Sequence, residues 1–227
     1  MFKGQTLVFD ADDTLWENNV LFERVIDGFL NWVSAPEERG RTRTLLDEIE
    51  AKNAVSLGYG AEMFRQSLRD CLEVVNGRIP TAEENARIEE LLTPLTDRGV
   101  ELIEGVAETL VALAENHELL LLTKGNLEEQ QRKVDASRIA HHFRSIHIVP
   151  EKNVDTYRQL TADLGLDAGR TWMIGNSPKS DILPALRAGL KAVYIPHEHT
   201  WVLEHEEFRP EDATLALRGF AELLEHF

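Results

Sequence analysis

Cysteine is almost absent. Cys71 stands alone among 227 residues, so no intrachain disulfide can form, and a reducing compartment is expected. It shares helical spacing with Phe64, Leu68 and Leu72, which predicts a small buried side chain and not a reactive thiol. Long apolar runs are also missing: none approaches the roughly 18 residues of a membrane span, and the first residues do not run from basic to apolar as a leader does. These absences predict a soluble, cytoplasmic protein with no membrane partner. Positive charge is scarce as well, with 24 Lys and Arg against 40 Asp and Glu, a formal net charge of −16 and a pI near 4.9. That balance argues against nucleic acid or an anionic membrane surface, and an anionic substrate would need a local positive site.

The chain does have enough apolar residues for a sizeable core, at 43%, and enough length for one large domain or a core with an insert. Residues 3–10 read as a strand. Leu21, Val25, Phe29 and Trp32, with Phe22, Ile26, Leu30 and Val33, then form a wide apolar stripe at helical spacing, closed by Pro36 and Gly40. Helices over about 42–54, 61–76 and 81–95 follow. Nothing between 17 and 95 alternates like a strand, so this block reads as an all-helical insert. Gly58-Tyr59-Gly60 could set Tyr59 at a helix tip near Lys52 and Asn53, or make an ordinary turn.

Beyond Pro94 the rhythm changes. Strands at 118–123, 145–149, 171–175 and 191–195 alternate with helices near 105–116, 126–137, 153–165 and 181–188. A weak strand at 214–217 and a helix at 220–226 close the chain. Such alternation predicts an α/β protein with a parallel sheet covered by helices on both faces. In such sheets functional groups gather beyond the C-terminal strand ends.

The first strand ends in Asp10-Ala11-Asp12-Asp13-Thr14. Two unit charges ~4 Å apart repel by roughly 4 kcal/mol at an effective dielectric near 20, so clustered carboxylates call for a cation or a shared proton. On a straight strand Asp10 and Asp12 leave the same face, which suits one divalent metal and one nucleophile. An acidic cap on a following helix is the plainer alternative. The second strand ends in Thr123-Lys124-Gly125-Asn126, where a hydroxyl and a helix start could serve a phosphate, or Thr123 or Asn126 could cap the helix. Lys152 follows the third strand, after Glu151, and Gly175-Asn176-Ser177-Pro178-Lys179-Ser180-Asp181 follows the fourth.

These four strand ends, in this order, resemble the four motifs of the haloacid dehalogenase-like hydrolase superfamily. The resemblance covers nearly the whole chain. It implies a Rossmann-like catalytic core at 1–16 and 96–227, and a helical cap at 17–95 that closes over the pocket. It implies that Asp10 is the nucleophile and that Asp12 protonates the leaving oxygen and later activates water. Thr123 and Lys152 would complete the catalytic set and, with Lys124 and Asn126, bind the phosphate. Mg2+ would be held by Asp10, the Asp12 carbonyl, Asn176 and Asp181. Asn176 stands where the motif usually has an aspartate, so Asp181 is expected to matter more as a ligand.

The reaction so implied is magnesium-dependent hydrolysis of a small phosphate monoester through an aspartyl-phosphate. A dehalogenating member needs no acid for a departing halide, so Asp12 favours phosphoryl transfer. The alternatives are a phosphomutase, a 2-haloacid dehalogenase and a non-catalytic member of the fold. The expected partner is a phosphorylated metabolite, with the chain a monomer or homodimer. Trp16 would line the entrance or pack where core meets cap. His197, His199 and His205 match no closed zinc site, so a polar loop is expected there, and the acids of 204–212 read as solvated surface.

Overall fold

Leu7 and Phe9 leave one face of strand β1 (Thr6–Phe9), Val8 leaves the other, and all three are fully buried. A strand with one solvated face would expose one of those sets, so β1 belongs to a sheet covered on both sides. The computed structural model describes residues 2–96 and 99–227. Among these, β1, β2 (Glu118–Lys124), β3 (Ser145–Val149), β4 (Thr171–Gly175), β5 (Lys191–Tyr194) and β6 (Leu215–Ala216) form one parallel, Rossmann-like sheet in the order β3-β2-β1-β4-β5-β6.

The chain folds as two compact units, residues 1–18 with 99–227 and residues 19–98. The second contains α1 (Asn19–Val33), α2 (Arg39–Leu57), α3 (Ala61–Asn76) and α4 (Ala82–Thr96). Its core joins Val25 and Phe29 of α1 with Leu46 of α2, Phe64 and Leu68 of α3, and Ile88 and Leu92 of α4. Cys71 is buried there, and burial, with Glu50 nearby, pushes its thiol up to about 12. Asn53 turns inward, donating to Ser67 and Asp70. Among the described residues no helix is long and apolar enough to cross a membrane.

In the sheet unit, α5 (Val106–Ala114) and α6 (Leu127–Ser137) cover the face bearing Leu7, Phe9 and Leu121. The opposite face, with Val8, Leu120 and Met173, packs on α7 (Val154–Leu164) and α8 (Leu183–Arg187). The next strand after β1 pairs on one side of it, whereas β4 pairs on the other. In open parallel sheets a reversal of this kind is where ligand sites form, outside the C-terminal strand ends.

The final expected helix is a 3₁₀ turn, Phe220–Glu225, and the weak strand shrinks to Leu215–Ala216. The helix expected at 181–188 begins instead as a wide turn, Pro178–Ile182, before α8. The Ser177 carbonyl accepts the N–H groups of both Asp181 and Ile182. Pro184 has no N–H for the Ser180 carbonyl four residues back, and the buried Tyr157 hydroxyl donates to that carbonyl at 2.7 Å.

Candidate active site

Asp10 is the first residue past β1, its N–H still donating to the Ile174 carbonyl of β4. Its carboxylate is buried. Oδ1 accepts Lys152 Nζ at 2.5 Å, and Oδ2 accepts the Thr14 hydroxyl at 3.0 Å. Lys152 enters from the loop before α7 and also donates to Asp181 Oδ1 at 2.6 Å. The Thr14 hydroxyl lies 3.3 Å from Asn176 Oδ1. Four expected residues, Asp10, Lys152, Asn176 and Asp181, therefore meet in one buried cluster.

One ammonium faces two buried carboxylates there. Burial and the Asp181 charge push the Asp10 carboxyl up to about 7, against the pull of Lys152. Burial also works against the Lys152 ammonium, but the two carboxylates more than reverse this and hold its pKa above the usual lysine value. Burial thus leads the Asp10 shift, with the Asp181 charge second, whereas the two carboxylates alone raise Lys152. The oxygens that meet there, on the Asp10 and Asp181 carboxylates and the Asn176 amide, are all hard donors. Charge and donor type alike fit Mg2+.

Asp12 departs from the straight-strand expectation. Regular strand pairing stops at Phe9, and Asp13 takes a left-handed conformation at φ 61°, which an aspartate tolerates better than most residues. The Asp12 carboxylate therefore meets different partners from those of Asp10. It accepts Trp16 Nε1 at 2.7 Å, Gln130 Nε2 at 2.8 Å and Lys133 Nζ at 3.0 Å from both oxygens. Burial would raise its pKa, but Lys133 and the hydrogen bonds lower it below the ordinary value. Trp16 is wholly buried in the sheet unit's core.

Thr123 is buried at the end of β2. Asn126 caps α6, its side chain accepting the Glu129 N–H, so the capping alternative describes its amide. The Lys124 ammonium is held by Glu204 Oε1 at 2.5 Å and the Ser180 hydroxyl at 2.8 Å, with Glu151 at 3.6 Å. Glu204 corrects the expectation of a solvated acidic tail. It is buried, and its Oε2 accepts the hydroxyls of Ser177 and Ser180. Burial acts to raise its pKa, yet Lys124 and the two serines hold it below the usual value.

His197 lies 3.2 Å from Glu17 and 3.7 Å from Asp13. Among the described residues, these three form the one group whose possible ligand atoms all lie within 4.8 Å of one another. Sequence reasoning missed this group, as it missed Gln130, Lys133, Tyr157 and Glu204. The Gln130–Lys133 spacing puts both on one helix face, but an exposed polar face would read the same.

The family model described as haloacid dehalogenase-like hydrolase matches residues 5–189. A haloacid dehalogenase-like family hydrolase from Xanthomonas campestris has a similar structure, with 27% identity, a TM-score of 0.82, and coverage of 97% of this chain and 92% of that one. The putative hydrolase YfnB from Bacillus subtilis, bound to magnesium, is 18% identical with a TM-score of 0.70 over 99% and 98% of the two chains. A predicted phosphoglycolate phosphatase from Haemophilus somnus is 20% identical with a TM-score of 0.68 over 99% and 98%. Solved 2-haloacid dehalogenases are also similar in fold. No curated protein matches.

Proposed function

The chain belongs to the haloacid dehalogenase-like hydrolase family, and from that premise we propose that it hydrolyses a small phosphate monoester with Mg2+. The observation that carries this reading is the Asp10–Lys152–Asp181 cluster, where one ammonium serves two buried carboxylates. Asp10, Asp181, Asn176 and the Asp12 carbonyl would hold the ion. When bound, it would offset the repulsion between Asp10 and an anionic phosphoryl group. YfnB is described as bound to magnesium, and one fold neighbour as a predicted phosphatase, which supports the same reading.

Asp10 would attack phosphorus through a carboxylate oxygen, and the bond from phosphorus to the leaving oxygen would break. Lys152 and Thr123 would steady the phosphoryl oxygens. The leaving oxygen needs a proton, and Asp12 is ionised in this arrangement. The Asp12–Lys133 pair holds one on the lysine, 3.0 Å from the carboxylate, and would pass it through Asp12. Water would then attack the phosphorus of the aspartyl-phosphate and give its proton to the same pair. Inorganic phosphate would leave, and Asp10 would be restored.

Carbon–halogen cleavage is the second reading, favoured by the direct Lys152–Asp10 contact, which supplies a counter-charge without a metal. A panel of phosphate monoesters and 2-haloacids, assayed with Mg2+ and with EDTA beside Asp10→Asn, separates the two. Phosphate release that needs both Mg2+ and Asp10 is expected. Halide release in EDTA would replace this reading, and an isomerised sugar phosphate without phosphate release would indicate a mutase.

A further inference from the structure

Glu204 belongs to none of the four strand-end motifs, yet its carboxylate is tied to two of them. Oε1 takes the Lys124 ammonium at the end of β2, while Oε2 takes Ser177 at 2.6 Å and Ser180 at 2.5 Å beyond β4. Ser177 Oγ in turn accepts the Ser180 N–H at 2.9 Å, so one hydroxyl joins Glu204 to the start of the wide turn. The Ser177 N–H donates to Asp181 Oδ2 at 3.0 Å, which leaves Oδ1 for Lys152. A continuous buried line thus runs from Glu204 through Ser177, Asp181 and Lys152 to Asp10.

The segment carrying Glu204 is strapped to residues 176–179 twice more. Asn176 Nδ2 donates to the Thr200 hydroxyl at 3.1 Å, and Lys179 Nζ donates to the Leu203 carbonyl at 2.9 Å. Surface strapping alone would need no buried charge, and burying a carboxylate is costly unless it is fully paired. All the bonding of this one goes to residues that flank the candidate centre.

We propose that Glu204 is a positioning residue: by holding Ser177 and Ser180 it sets the orientation of the Asp181 carboxylate, and through it the site's capacity for Mg2+. Groups that orient metal ligands typically alter affinity or activity by about 10- to 100-fold when removed. The kinetic half of this inference rests on the phosphatase reading; the metal-binding half is measured without substrate.

The test is calorimetric titration of the full-length chain with Mg2+ alone, for wild type and Glu204→Gln, beside steady-state hydrolysis of the wild type's best phosphate monoester. Glu204→Gln is expected to weaken Mg2+ binding by about 10-fold or more and to lower kcat by about 10- to 100-fold, with KM changed less than about threefold. A folded Glu204→Gln protein with Mg2+ affinity within about twofold of wild type overturns the proposal, whatever its Tm, since a merely structural ion pair would move only Tm. If that variant does not fold, Ser180→Ala, which removes one held hydroxyl but keeps the Lys124 pair, is judged on the same criteria. A wild type that binds Mg2+ but hydrolyses no phosphate monoester loses the phosphatase reading, while the titration still decides the role of Glu204. A wild type that binds no Mg2+ overturns both.

Discussion

Lys152 Nζ lies 2.5 Å from Asp10 Oδ1 across 142 positions of sequence, and its other short bond goes to Asp181. With both carboxylates buried, Asp10 titrates near 7 instead of its ordinary 3.8. Below about 3.8, folded and unfolded chains both hold the proton. Between there and about 7 only the folded chain does, so stability falls as pH rises through that window, and the full penalty remains above it. At 1.36 kcal/mol per pKa unit that penalty reaches roughly 4 kcal/mol at most. In EDTA, Tm should therefore decline from about pH 5 to about pH 8; Asp10→Asn should flatten the decline, and Mg2+ should reverse it. A wild-type Tm that climbs across this range in EDTA would contradict the raised Asp10 carboxyl.

Asp12 carries the opposite shift, and Lys133 is its main ionic partner. A depressed carboxyl contributes stability above its unfolded pKa, and loses it as pH falls through the folded value. Lys133→Met should thus destabilise the protein at neutral pH by about 1–3 kcal/mol, with the difference fading in acid. Denaturant titrations at several pH values check this, and a pH-independent difference would mean the lysine acts through packing alone.

If Asp12 delivers the leaving group's proton, Asp12→Asn should harm poor leaving groups most. Alkyl phosphates should slow by about 100-fold or more, and nitrophenyl phosphate should slow less in the bond-breaking step. Equal losses in that step, measured by rapid quench, would remove Asp12 from the role.

Gly175 ends β4 directly against Asp181. A Cβ at this position would stand 2.2 Å from Asp181 Oδ2 and 2.5 Å from Cγ. Gly175→Ala must therefore displace the carboxylate, at a cost of about 1–3 kcal/mol and with weaker Mg2+ binding. Unchanged Mg2+ affinity by calorimetry would show that Asp181 does not need its present place. In the same assay Asp181→Ala should weaken binding more than Asn176→Ala, because the amide brings no formal charge. The reverse order would overturn that ranking.

The sheet was largely legible because buried parallel strands are short apolar runs with abrupt polar ends: 145–149 and 171–175 match β3 and β4 to the residue. Asp10, Lys152, Asn176 and Asp181 were legible because each follows such an end. Lys133 and Glu204 were not. A lysine on a polar helix face and one glutamate in an acidic stretch carry no local sign of burial, which depends on distant segments folding against them. The wide turn at Pro178–Ile182, which takes the first residues of the helix expected at 181–188, was not legible: the Tyr157 hydroxyl that meets its Ser180 carbonyl lies 23 positions away.

Trapping the covalent species tests the Asp10 assignment most directly. Wild-type protein mixed with Mg2+ and its best phosphate monoester, quenched in acid and peptide-mapped by mass spectrometry, should carry phosphate on Asp10 and on no other residue. Turnover with the phosphate on a different side chain, or turnover that survives Asp10→Asn, would contradict the account.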